Sequence, residues 1–174
     1  HAKADVGDQR IMAQHDGDTV AATVVMAPGP LVRFGTFRLA APSAVRAERI
    51  AQITGFPTGQ VFSPARTEVA ADRLRHTGAF QAVRFQEDDL LGPGDTLDFA
   101  LEVIDAKPRR FGFGAEVSST DGAMLSAFWM HRNLFGGAER LRIEAEVSSI
   151  DGATGGAAWV LRGDFRRPGT YHPD

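Results

Sequence analysis

The chain has 174 residues, 43% hydrophobic and 24% charged, with a net charge of −3 and no cysteine. This balance suits a folded core of one ordinary domain or two small ones. It excludes disulfides, thiolate chemistry and Cys-based metal sites, and it lacks the concentrated basic face that nucleic acid requires. No apolar run is long enough for a membrane-spanning helix. A membrane β-strand escapes that test, because it signals itself only by alternation over about ten residues. The first residue is His1 and no charged-then-apolar leader follows, so the chain reads as processed or as a piece of a longer one.

Residues 1–30 predict two strands, 9–13 and 20–26, about a turn at Asp16-Gly17-Asp18. The segment GDTVAATVVMAPGPLVRFG (17–35) has a counterpart in GDTLDFALEVIDAKPRRFG (94–112). Gly-Asp-Thr opens both and Arg-Phe-Gly closes both. That spacing is too long for a short solenoid repeat and suits a small tandem domain. Residues 1–30 therefore read as the closing hairpin of a preceding copy.

The order within residues 31–107 is β-α-α-β-β. Residues 31–39 alternate as a strand. Pro42-Ser43 opens a helix with Ser43 as the candidate N-cap, carried through Ile50 and Ile53 to a stop at Gly55. Ser63-Pro64 starts a second helix, with Val69 and Leu74 turned inward and an end at Gly78. Ala82, Val83 and Phe85 form a strand, and Leu97, Phe99, Leu101 and Val103 alternate in the next.

The last third repeats itself: AEVSSTDGA (115–123) returns as AEVSSIDGA (145–153), with Trp129 and Trp159 in matching places. Asp-Gly between alternating stretches is the strongest short-range hairpin signal, because a type I′ turn needs positive φ that glycine supplies cheaply. Leu141, Ile143, Ala145 and Val147 alternate with Arg140, Arg142, Glu144, Glu146 and Ser148, giving one apolar and one charged face. Phe111, Phe113, Ala115 and Val117 alternate likewise, and Gly136-Gly137 joins the two hairpins. The result is a four-stranded up-and-down meander with no second sheet to cover it. Four strands cannot close a barrel.

The β-α-α-β-β unit, with GQVFSPARTEVAADRLRHTGAF (59–80) and its Gly78-Ala79-Phe80 step into a strand, resembles a polypeptide-transport-associated (POTRA) domain. RRFGFGAEVSSTDGAMLSAFWMHRNLFGGAERLRIEAEVS (109–148) resembles the first barrel strands of outer-membrane assembly proteins of the BamA/TamA type. HRNLFGGAERL (131–141) leans toward the TamA branch. The resemblance implies an α+β chain in three parts: a closing hairpin at 1–30, a complete POTRA unit at 31–107 and the opening of a truncated outer-membrane barrel at 108–174. It implies no enzyme activity and no cofactor. It implies binding of unfolded barrel or autotransporter clients by β-augmentation, an inner-membrane partner of the TamB type, a lipid bilayer around the barrel and a periplasmic POTRA part.

The client-pairing edge that this implies is Gln81, Ala82, Val83, Arg84 and Phe85. The barrel seam strand carries Phe111, Gly112, Phe113, Gly114 and Val117, and the hinge is Lys107, Pro108 and Arg109. Gly112 and Gly114 have two readings: they weaken a strand that must open, or they leave room for bulky neighbours inside the barrel. A two-partner-secretion transporter of the same superfamily and a soluble periplasmic binding module stay open as alternatives. The histidines stand at no metal-ligand spacing, Asp5, Asp8, Asp16 and Asp18 lack a calcium-loop pattern, and Ser118-Ser119 and Ser148-Ser149 have no His–Asp partner. The basic RRPG (166–169) reads as a polar strand end or a segment near lipid head groups.

Overall fold

The computed structural model describes residues 5–14, 19–27, 29–119, 122–150 and 156–170. The expected turns at 16–18 and 151–152, and Asp121, lie outside them. The described residues form three sheets. The first is a hairpin of β1 (Asp5–Gln14) and β2 (Thr19–Ala27), antiparallel with Gln9 opposite Val24 and Ile11 opposite Ala22. Ile11, Met12, Val24, Val25 and Met26 are exposed on it. A lone two-stranded hairpin with uncovered apolar residues is marginal in water.

The second sheet contains β3 (Arg33–Leu39), β4 (Phe80–Glu87) and β5 (Thr96–Asp105) in the order β3-β5-β4. β5 runs parallel to β3 and antiparallel to β4. A parallel neighbour needs a long crossover, and here it contains α1 (Ala47–Thr54) and α2 (Pro64–His76). Alternation along β5 buries Leu97, Phe99 and Leu101, which meet Ile50 and Ile53 of α1, Leu74 of α2 and Phe34 of β3. Burial of each such side chain contributes about 1.5–3 kcal/mol. Phe34, Phe56, Phe62 and Phe99 stack and meet edge-on at centroid separations of 5.2–6.1 Å.

Two helix expectations are corrected. Ser43 does not cap α1, which begins four residues later behind Arg46. Its hydroxyl instead donates to Asp105 Oδ1 at 2.7 Å and accepts from Val45 N at 3.0 Å, tying the loop to the end of β5. A long-range carboxylate outcompetes the local cap. Val69 is half exposed, whereas Leu74 is buried as expected and Ala70 and Ala71 turn inward with it. The stop at Gly55 holds, since its φ of 51° is the left-handed cap that glycine adopts without strain.

The third sheet is the meander β6 (Arg109–Ser118), β7 (Gly122–Arg132), β8 (Arg140–Ile150) and β9 (Ala158–Arg166), every neighbour antiparallel. Its register sets the two faces. Phe111, Trp129, Ile143 and Gly163 form one cross-strand row, followed by Phe113, Ala127, Ala145 and Leu161, then Ala115, Leu125, Val147 and Trp159. That face is apolar from edge to edge. Its other side carries Glu116, Arg142, Glu144, Glu146 and Arg162.

Candidate strand-edge and junction sites

Gln81 to Phe85 lie on β4, the outer strand of the second sheet. The opposite edge, β3, is already occupied: Phe34 N donates to Gln60 O, Gly59 N to Phe34 O and Phe62 N to Val32 O. β4 has no such cover among the described residues. Asp88 N donates inward to Asp98 O at 2.9 Å. The alternation of an antiparallel ladder then turns the backbone groups of Val83, Phe85 and Glu87 outward. Val83 O accepts from Arg75 Nη2 at 3.2 Å. Among the described residues the edge is thus capped by an arginine at its middle and free toward Phe85 and Glu87, the latter two residues beyond the segment the sequence marked.

Phe111, Gly112, Phe113, Gly114 and Val117 lie on β6, the outer strand of the meander. Phe113 and Val117 are 85% and 84% exposed. Gly112 and Gly114 face the polar side. A Cβ on Gly112 would stand 2.1 Å from Phe128 Cε1, and one on Gly114 2.6 Å from Ser126 Oγ. The Phe128 ring lies where a side chain at 112 would be, and Arg142 sits 3.8 Å above that ring. Gly112 therefore leaves room for the Phe128 ring, as in the second reading, while Gly114 faces only a serine hydroxyl. On the same face Arg142 pairs with Glu144 at 2.9 Å and Arg162 with Glu146 at 3.5 Å.

Lys107, Pro108 and Arg109 carry the chain from β5 into β6, and Pro108 O accepts from Arg132 N at 2.7 Å. Among the described residues, the hinge expected there is accompanied by two further connections between the second and third sheets. The turn 133–139, between β7 and β8, docks on the loop before α1. Arg46 N donates to Gly136 O at 2.9 Å and Asn133 Nδ2 to Ala44 O at 2.8 Å, while Ala138 is buried in the helix core. Beyond β9, Pro168 O accepts from Arg49 Nη2 at 2.6 Å, and a Cβ on Gly169 would come within 3.2 Å of Ile53.

The turn is shaped by its own polar groups. Asn133 and Ala138 take φ of 64° and 63°, and Gly136 takes 79°. Asn133 Oδ1 accepts from Ala138 N at 3.0 Å. Glu139, only 3% exposed, accepts from Gly137 N at 2.9 Å and Phe135 N at 3.2 Å through Oε2. Burial pushes its carboxyl up, but backbone N–H donors at Glu139, Gly137 and Phe135 and the charge of Arg167 outweigh this and hold it below the usual carboxylate range. Sequence reading missed Arg46, Asn133 and Glu139. The available signal was Asn133, Gly136-Gly137 and a lone acid, Glu139, inside HRNLFGGAERL.

No helix among the described residues is long and apolar enough to cross a membrane, which leaves strands undecided. No family model matches the chain, and no curated protein does. Solved structures do. BamA from Haemophilus ducreyi lacking POTRA domains 1–3 superposes with a TM-score of 0.68 at 17% identity, covering 84% of this chain and 27% of that one. CdiB from Escherichia coli gives 0.61 at 16% identity, covering 95% and 29%. CdiB from Acinetobacter baumannii gives 0.52 at 12%, covering 80% and 26%. At these identities the likeness is one of fold, and this chain spans less than a third of each of those structures.

Proposed function

We propose that this chain is the junction between the last POTRA unit and the opening strands of an outer-membrane barrel, in a factor that assembles or transports β-rich proteins. The observation that carries this reading is the meander's continuous apolar face, backed by a charged one and joined to a compact unit with an open strand edge. Its strands have 10, 11, 11 and 9 residues, the length of tilted membrane strands. Trp159 and Leu161 are 77% and 66% exposed, and covering each apolar side chain is worth about 1.5–3 kcal/mol. A soluble periplasmic module would bury that face.

In this reading residues 1–30 close a preceding POTRA unit, 31–107 form the last one and 108–174 open the barrel. The β4 edge pairs with an unfolded barrel or autotransporter client by β-augmentation, β6 is one side of the seam, and an inner-membrane partner of the TamB type serves the TamA-like branch suggested by residues 131–141. There is no bond chemistry, so neither enzyme activity nor a cofactor is involved. A two-partner-secretion transporter is the second reading, favoured by a likeness to CdiB over 95% of the chain. Fractionated source cells probed with antibody to residues 31–107 test the membrane assignment. The band is expected in the outer-membrane fraction, and a soluble periplasmic band overturns it.

A further inference from the structure

At the junction end of the meander, Arg132, Arg140 and Arg166 lie directly opposite one another across β7, β8 and β9. Like charges placed directly opposite are destabilising in a sheet. Asp164 relieves part of this, at 3.1 Å from Arg166 and 3.8 Å from Arg140. The Nε of Arg140 remains buried with no hydrogen-bond partner among the described residues. Beside this row is a cavity of about 190 Å³, with Arg140, Arg166 and Arg167 on one wall and Arg73 and His76 of α2 on the other.

The charges around the cavity do not cancel. Among the described residues neither Arg73 nor Arg167 has a carboxylate within ion-pair distance; Arg73 donates one N–H to Thr54 O at 2.9 Å. The acids nearby are Asp164, already shared by two arginines, and Glu139, held by backbone N–H groups and acted on by the charge of Arg167. Asp72 and Glu68 of α2 are taken up by Arg75. The C-terminus of α2 adds a partial negative charge of about half a unit, which leaves a clear positive excess. Arginines from α2, β8 and the end of β9 line the cavity, guanidinium groups match the oxygens of a phosphate group, and the cavity is smaller than the ~300–1,000 Å³ of a drug-sized pocket.

We infer that this cavity at the α2–β8–β9 junction binds a phosphate group, as a lipid headgroup or as free phosphate. The site stands on its own geometry; its assignment to a headgroup rests on the proposed membrane placement, which would put the junction end of the sheet at headgroup level. RRPG (166–169) supplies two of its arginines.

The test is titration calorimetry of the chain in a phosphate-free maltoside detergent, with short-chain phosphatidate below its micelle concentration and, separately, inorganic phosphate. Phosphatidate is expected to bind, and the Arg73→Gln/Arg167→Gln variant to bind at least about tenfold more weakly. Arg73→Lys/Arg167→Lys keeps the charge and recovers part of the affinity. Arg38→Gln, remote from the cavity and paired with Asp88, binds as the native chain does. Tighter binding of phosphatidate than of phosphate assigns a headgroup, and equal binding assigns free phosphate. The inference is overturned if native and Gln-substituted chains, matched in circular dichroism, take up both probes alike. Because both probes are soluble, the result does not depend on where the protein fractionates.

Discussion

Glu139 is the residue on which the docked turn depends most. Truncation to alanine removes the acceptor of one buried N–H group, Gly137 at 2.9 Å, and of a part-buried one, Phe135 at 3.2 Å. An unsatisfied buried donor costs about 1–3 kcal/mol, water reaches the part-buried Phe135 N–H, and a buried charge also disappears, so the net loss is about 2 kcal/mol. Glu139→Gln keeps an acceptor and loses the charge. A charged partner makes a hydrogen bond worth about 1.5–3 kcal/mol against about 0.5–1.5 for a neutral one, so this change costs about 1–2 kcal/mol. The pH dependence has a definite sign. The folded carboxyl is held below its ordinary value of 4.5, so its stabilisation is present above the unfolded value and is lost as pH falls through the folded one. Urea unfolding of the detergent-solubilised chain, repeated from neutral pH into acid, measures both effects. Alanine and glutamine variants within about 0.5 kcal/mol of the native chain, the range of an ordinary surface change, would refute the argument.

Other perturbations act elsewhere. Gly112→Ala drives a methyl to 2.1 Å from Phe128 Cε1; overpacking should cost about 1–3 kcal/mol, with most of it recovered in Gly112→Ala/Phe128→Leu. Additive losses in that double-mutant cycle would show that the glycine is not there for the ring. Glu87→Pro removes an outward N–H from β4. It should leave folding within about 0.5 kcal/mol while slowing client assembly in the full-length protein, and unchanged assembly would place client pairing elsewhere.

Local features were legible in the sequence where a single periodicity or a single residue decides them. Residues 140–148 alternate without a break, so the two faces of β8 follow from residue order alone. Gly55 stops α1 because only a left-handed residue closes the helix there. Ser43 was misread because Asp105 reaches its hydroxyl across a long chain separation, which no local pattern records. The junction was hidden for the same reason. Arg46 and Gly136, or Arg49 and Pro168, meet only after the strands between them have folded. Nothing in a linear reading joins them, although the motif holding Asn133 and Glu139 was visible. The row of Arg132, Arg140 and Arg166 likewise follows from the registers of β7 with β8 and of β8 with β9.

The two faces of the meander provide the most direct test. The chain contains no cysteine, so single cysteines report without background once any cysteine elsewhere in the full-length protein is replaced by serine. Substituted at Phe113, Val117 and Leu161 in the full-length protein in isolated outer membranes, they should resist a charged, water-soluble maleimide. A fluorophore attached there after solubilisation should be quenched by lipid-chain spin labels on reconstitution. Cysteines at Glu116, Glu144 and Arg162 should react with the maleimide and escape that quenching. Equal reaction of both sets with the water-soluble reagent would mean that the apolar face does not meet lipid, and would contradict the membrane reading of this sheet.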